Sequence, residues 1–231
     1  IGSSNTITIE QVGGTNRVGG VTNTTAVAVD NTGITTFTPA APSALNYGTL
    51  TGSTNALSIT QHGSNNSAQY NIQGSNNIYT SLVTGNSNKT SLTIGDSNHA
   101  TNSQNTVTET VTGNSNLLLT NLVGSNITSS TTINGSGSSN QVTSSLLSSY
   151  GSVSDTITGS SNIINIQQTD NAGGNGHQLV MSTTGDYNSI TTQQQGNNDT
   201  TVNILTSGSH NTITVRSSSG TIVNPATALV R

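Results

Sequence analysis

The chain has 231 residues, with 4 Lys and Arg against 8 Asp and Glu, a formal net charge of -4 and no cysteine. Charged residues at 5% supply no basic patch for phosphates, which excludes a nucleic-acid binder working by counterion release. The absence of cysteine excludes disulfides, thiolate zinc sites and cysteine nucleophiles.

Hydrophobic residues reach only 29%, while Ser, Thr, Asn, Gln and Gly make up about 60% of the chain, far from ordinary globular usage. A three-layer enzyme core is out of reach. What remains is a disordered polar tract or a repeat whose narrow core is built from short strands and polar ladders. No run of about 18 apolar residues occurs, so no transmembrane helix is expected. The lack of cysteine is compatible with an extracellular protein.

The repeat begins at once. Gly2/Asn5 and Gly13/Asn16 open a Gly-x-x-Asn series that continues through Gly52/Asn55, Gly63/Asn66, Gly74/Asn77, Gly85/Asn88 and Gly95/Asn98. It then runs on as Gly113/Asn116, Gly137/Asn140, Gly159/Asn162, Gly185/Asn188 and Gly208/Asn211. The glycine step is 11 residues from Gly2 to Gly13 and again along Gly52, Gly63, Gly74 and Gly85. Glycine and asparagine both tolerate positive φ, so the quartet reads as a tight turn that leaves about 7 residues of strand.

Between the turns, apolar residues alternate in step with the asparagine: Asn5, Ile7, Ile9, Gln11; Asn55, Leu57, Ile59, Gln61; Asn162, Ile164, Ile166, Gln168. Period two means one buried face. The intervening Thr and Ser favour extended backbone and keep the other face solvated.

The expected fold is therefore all-β: a β-solenoid with two strands and two Gly-x-x-Asn turns per rung of about 22 residues. Stacked rungs place like residues above one another, so inward Asn5, Gln11, Asn55, Gln61, Asn66, Asn77, Asn88, Asn116, Asn140, Asn162, Gln168, Asn188, Gln194 and Asn211 are expected to form amide ladders along the stack. Gly13, Gly52, Gly63, Gly74, Gly85, Gly113, Gly159, Gly185 and Gly208 are the expected turn glycines.

Four segments follow: first solenoid strands over 1–16, an irregular Pro-containing insertion over 17–51, the main solenoid over 52–216 and a non-repeat tail over 217–231. The insertion contains Phe37, Pro39 and Pro42, and proline cannot donate to a ladder. The tail carries Ile222, Val223, Leu229 and Val230 and either caps its own last rung or docks on the next subunit. Phe37, Pro39, Ile222, Val223, Leu229 and Val230 are thus the candidate subunit contacts. Asn102-Ser103-Gln104-Asn105 stands where a glycine turn is due, and a strand there is expected to be shortened.

The stretch Gln61-His62-Gly63-Ser64-Asn65-Asn66-Ser67-Ala68 resembles the curlin repeat, whose pattern is Gln-x-Gly-x-x-Asn-x-Ala followed by a second Gln. Partial copies stand at Gln11 to Asn16 and at Gln194-Gln195-Gly196-Asn197-Asn198, while Val83 and Val111 replace the glutamine before Gly85 and Gly113. The resemblance implies a secreted bacterial subunit that stacks end to end into an amyloid-like extracellular fibre of biofilm matrix. The uneven rungs and the proline insertion depart from that family's uniform repeats.

No chemistry competes strongly. Glu10, Asp30, Asp96, Glu109, Asp155, Asp170, Asp186 and Asp199 do not cluster by spacing, so no enzyme, metal site or cofactor is expected. His62, His99, His177 and His210 lie in or beside turns; a row of His62 and His99 along one edge is the alternative to solvated turn residues. Glu109 has inward parity, but a register slip at the irregular rung is expected to turn it to water. Thr106, Thr108, Thr110 and Thr112 are similar to a solenoid ice-binding row, yet Lys89, Gln69 and Asn71 interrupt such rows elsewhere, and strand propensity accounts for them.

The leading expectation is a structural subunit of an extracellular filament whose partner is itself, with other matrix components or a host-surface receptor as further partners. The alternative is the stalk or receptor-binding segment of a surface adhesin or viral fibre.

Overall fold

The computed structural model describes residues 2–19, 48–95, 102–134, 138–147, 150–169, 178–195, 201–217 and 228–229. Among them the strands run in chain order as β1 Thr6–Val12, β2 Arg17–Gly19, β3 Thr49–Thr51, β4 Ala56–His62, β5 Ser67–Gln73, β6 Ile78–Thr84, β7 Lys89–Ile94, β8 Thr106–Thr112 and β9 Leu117–Val123. They continue as β10 Thr128–Asn134, β11 Gln141–Leu147, β12 Ser152–Thr158, β13 Ile163–Thr169, β14 Gln178–Thr184, β15 Ser189–Gln195, β16 Thr201–Ser207, β17 Thr212–Ser217 and β18 Ala228–Leu229.

Successive strands go to alternate sheets. One nine-stranded sheet has the order β1-β4-β6-β8-β10-β12-β14-β16-β18, and the other runs β17-β15-β13-β11-β9-β7-β5-β2, with β3 also on β5. Every pairing is parallel and in register, for example Leu57 on Tyr79 and Ile59 on Ser81. This is a two-sheet β-solenoid. The rung length is not fixed at 22: equivalent asparagines are 22, 28, 24, 22, 26 and 23 residues apart on successive turns. The extra residues fall between strands in the sequence, and the strand register stays intact.

Alternation puts Leu57, Ile59, Ile72, Leu92, Ile94, Leu118, Leu122, Ile133, Leu146 and Ile157 inside, each 2% exposed or less. A single ribbon of aliphatic side chains fills the space between the sheets. Burying each such side chain contributes roughly 1.5–3 kcal/mol, enough for a thin core to hold when it repeats at every rung.

The insertion is narrower than 17–51. Arg17, Val18 and Gly19 pair with Ser67, Ala68 and Gln69, and Thr49, Leu50 and Thr51 pair with Asn71, Ile72 and Gln73. The chain therefore leaves one strand position midway and returns to finish it on the same neighbour. Gly48 sits at the return, where a Cβ would lie 2.2 Å from the Tyr70 ring, so a larger residue there would push the ring out of place. Residues 26–29, Phe37 and Pro39 lie outside the described residues.

At the irregular turn, β7 is one residue shorter than β5 or β9, and Asn102 to Asn105 form the corner, with Ser103 bridged to Ser75. Gly95 ends β7 instead of opening that corner. Register does not slip there: Glu109 pairs in line with Ser81 and Thr131.

Candidate functional site

The corners are where the sequence signature acts, and they divide the work differently from the expectation. Glycine takes the positive φ, as at Gly63 with +115° and Gly85 with +119°, but the second positive φ belongs to the residue before the asparagine, such as Asn65 or Ser87, both at +58°. Asparagine is there for its amide.

One corner column shows the mechanism throughout. Asn88 donates its backbone N–H to Asn66 Oδ1 at 3.0 Å and its Nδ2 to the same oxygen at 3.2 Å. Asn66 Nδ2 meanwhile reaches forward to the Gly85 carbonyl at 2.7 Å. The same clamp repeats through Asn116, Asn140, Asn162 and Asn188, each at most 1% exposed. Buried amides are tolerated because every rung completes its neighbour's hydrogen bonds.

Close stacking explains the glycines. A Cβ on Gly85 would stand 1.9 Å from the Gly113 carbonyl oxygen, and one on Gly63 would stand 2.0 Å from that of Gly85. Gly13, Gly52, Gly74, Gly159 and Gly185 face the same obstruction from the rung above. Gly113 supplies the next carbonyl to Asn88, and Gly208 supplies one to Asn188.

The opposite corner is less regular. Its ladder runs Asn5, Asn55, Asn77 and Asn105 and stops at Ile127, whose N–H still bonds Asn105 Oδ1 at 2.9 Å while its side chain joins the core. The expected two Gly-x-x-Asn turns per rung therefore hold only on the earlier turns. Asn16 and Asn105 complete the two columns and were absent from the expected ladder. Asn16 was signalled by its Gly13-x-x-Asn16 spacing, and Asn105 by its inward parity.

The glutamines do not form the expected ladder. Gln61 is buried and donates to the Arg17 carbonyl at 3.0 Å, leaving its Oε1 without a partner; Gln168 is buried with neither amide atom bonded. Gln11 is exposed, and the side chain of Gln194 lies outside what is described. Each column carries only a pair of amides: Gln61 has Gln11 on one side and Val83 on the other, and Gln168 has Gln194 on one side and Leu146 on the other, so no continuous amide ladder can form.

Glu109 corrects another expectation, being 1% exposed instead of facing water. Its Oε2 accepts from the Tyr79 hydroxyl at 2.7 Å and its Oε1 from Thr120 at 3.0 Å. Burial pushes its carboxyl up to about 7 against those hydrogen bonds. Two rungs along the same inward column stands Asp155, which accepts from Thr131 at 3.2 Å and is likewise pushed up to about 7 by burial. Inward parity in Val153-x-Asp155-x-Ile157 was the signal for Asp155.

His62 lies 3.5 Å from Glu10 on the neighbouring strand, and His210 stacks on Tyr187 with centroids 5.2 Å apart. His62 ends strand β4 while His210 sits within a corner, and His99 lies outside the described residues. Lys89, Gln69 and Asn71 do not interrupt the row of Thr106 to Thr112, because they belong to β5 and β7 in the other sheet. No group of three or more metal-ligating side chains occurs among the described residues, and none of their helices is long and apolar enough to cross a membrane.

The two ends of the stack differ from its middle. Ile7 and Ile9 stack on buried Leu57 and Ile59, yet are 52% and 43% exposed because β1 is the outermost strand of its sheet. At the other end, Ala228 and Leu229 pair with Thr206 and Ser207 and cover two residues of the β16 edge. Phe37, Pro39, Ile222, Val223 and Val230 are outside the described residues, and only the backbone of Leu229 is placed.

Fold and corners define a parallel two-sheet β-solenoid clamped by asparagine columns. No protein-family model, curated protein or solved structure matches the chain.

Proposed function

We propose that the chain is a structural, non-enzymatic subunit of an extracellular, amyloid-like filament, curlin-like, that assembles head to tail through strand-edge stacking and serves a biofilm matrix or adhesion. The observation that carries this reading is the uncovered first rung. Ile7 and Ile9 continue the core columns of Leu57 and Ile59 but remain exposed, on a strand that has a neighbour on one side only among the described residues.

A head-to-tail contact of this kind does not close on itself, so it yields an open fibre. Charged residues at 5% leave little repulsion to keep edges apart. The extracellular, matrix-forming role rests on the curlin-like stretch from Gln61 to Ala68.

Electron microscopy of the purified protein at micromolar concentration tests it. Unbranched filaments with an axial repeat near 4.8 Å are expected. Discrete particles or closed trimers would overturn it in favour of a receptor-binding solenoid stalk of an adhesin or viral fibre, a reading favoured by corner aromatics Tyr150 and Tyr187 at 66% and 61% exposure.

A further inference from the structure

We propose that the joint between successive copies is a single continued corner column: the Gly13 to Asn16 corner of one copy seated on the Gly208 to Asn211 corner of the next. The inference rests on the filament reading and fixes its partner and register.

Asn211 is the last described member of the long asparagine column, and among the described members it is the one whose amide is left incomplete. Its backbone N–H bonds Asn188 Oδ1 at 2.9 Å like every rung before it, but its Nδ2 is buried without a partner in a residue only 7% exposed. One rung earlier, Asn188 Nδ2 reaches the Gly208 carbonyl at 3.0 Å. Among the described residues no following rung brings a glycine carbonyl to Asn211 Nδ2. Leaving such a donor dry costs roughly 1–3 kcal/mol.

The other end of the column offers the missing half. Asn16 accepts from Asn66 N–H at 3.0 Å and donates to the Gly63 carbonyl at 2.8 Å, and no described rung precedes it. Seated on Asn211, the corner would present the Gly13 carbonyl to Asn211 Nδ2 and the Asn16 N–H to Asn211 Oδ1, repeating the contacts between every interior pair. The same register lays β1 on β16 and β2 on β17 and sets Ile9 on Ile204, which is buried. It also requires Ala228 and Leu229 to give up Thr206 and Ser207.

The register is specific enough to trap. Within the chain, Tyr187 and His210 occupy successive rungs of the third corner position and their rings stack 5.2 Å apart. Thr15 holds that position in the first rung, so in the polymer it lies over His210 of the neighbour. Rungs about 4.8 Å apart fall within the Cα separation of about 4.4–6.8 Å that a disulfide spans.

The chain has no cysteine of its own, and positions 15 and 210 lie at opposite ends of one stack. The full chain carrying Thr15→Cys and His210→Cys is assembled, oxidised and run on a denaturing gel beside Thr15→Cys with Tyr150→Cys, which belongs to the opposite corner. A reducible ladder from dimer upward is expected only in the first. Gly14→Cys with Ser209→Cys tests the same register independently, since a Cβ on Gly14 meets nothing nearer than Ser64 Oγ at 3.9 Å.

If the wild type forms filaments but neither cysteine pair gives a ladder, or the Tyr150 control gives the same ladder, the joint is overturned while the filament reading stands. A wild-type chain that never polymerises removes both.

Discussion

Tyr79 and Glu109 meet in the dry centre of the solenoid, the phenol donating to Oε2 at 2.7 Å from the neighbouring strand. The contact satisfies a carboxyl group that no described cation faces. Desolvation raises the tyrosine well above its ordinary range as well, so the pair holds its protons together.

The pH dependence follows from the two buried carboxyls. Glu109 rises from 4.5 to about 7 and Asp155 from 3.8 to about 7 on folding. The folded state keeps protons that the unfolded chain releases, so their contribution is full below pH 4 and is lost as pH climbs through 7. At about 1.4 kcal/mol per unit, the shifts correspond to at most about 3.5 kcal/mol for Glu109 and about 4.5 kcal/mol for Asp155. Denaturant midpoints should be higher at pH 4 than at pH 8.5, and Glu109→Gln should flatten the difference by about half. A midpoint that rises with pH would refute the assignment.

Interior and terminal asparagines should differ sharply. Asn140→Ala removes bonds to Asn116, Asn162 and the Gly159 carbonyl and strands buried partners, at a cost of roughly 3 kcal/mol or more. Asn211→Ala should cost the isolated chain under about 1 kcal/mol, because its Nδ2 bonds nothing. Urea melts of the two variants decide this; equal losses would mean that the ladder is not what holds the corner.

Glycines of one corner are not equivalent either. Gly85→Ala drives a methyl to 1.9 Å from the Gly113 carbonyl and places alanine at a φ of +119°, which should break the stack at that rung. Gly14→Ala, next to a glycine of the same column, meets only Ser64 Oγ at 3.9 Å and should fall within about 0.5 kcal/mol of wild type. Circular dichroism melts separate them, and similar melting of both would argue against carbonyl crowding.

Removing residues 228–231 should shorten the lag before filament growth, because Ala228 and Leu229 occupy the part of the β16 edge that an incoming β1 must use. Seeded and unseeded assembly followed by light scattering reads the effect. A longer lag would show that the tail helps docking instead.

Much of this was legible in the residues. Period-two alternation between Gly-x-x-Asn corners determines a half-buried strand roughly every 11 residues, and the structure contains those strands where Asn55 to Gln61 and Asn162 to Gln168 place them. Recurrence of one residue type at one position also determines the asparagine columns, because a repeat that stacks must bring its copies together.

Tertiary structure alone decided which rungs are neighbours and therefore which side chains have partners. The glutamine pattern of Gln61 and Gln168 looked like that of the asparagines, but each column is an isolated pair, Gln11 on Gln61 and Gln168 on Gln194, cut off by Val83 and Leu146 on the far sides, a fact that strand spacing within one rung does not carry. Glu109 stays inside because the variable residues fall between strands and spare the register. Local spacing fixes direction along a strand; only the stack brings Tyr79 to Glu109, because residues 30 apart become neighbours through a turn whose length varies.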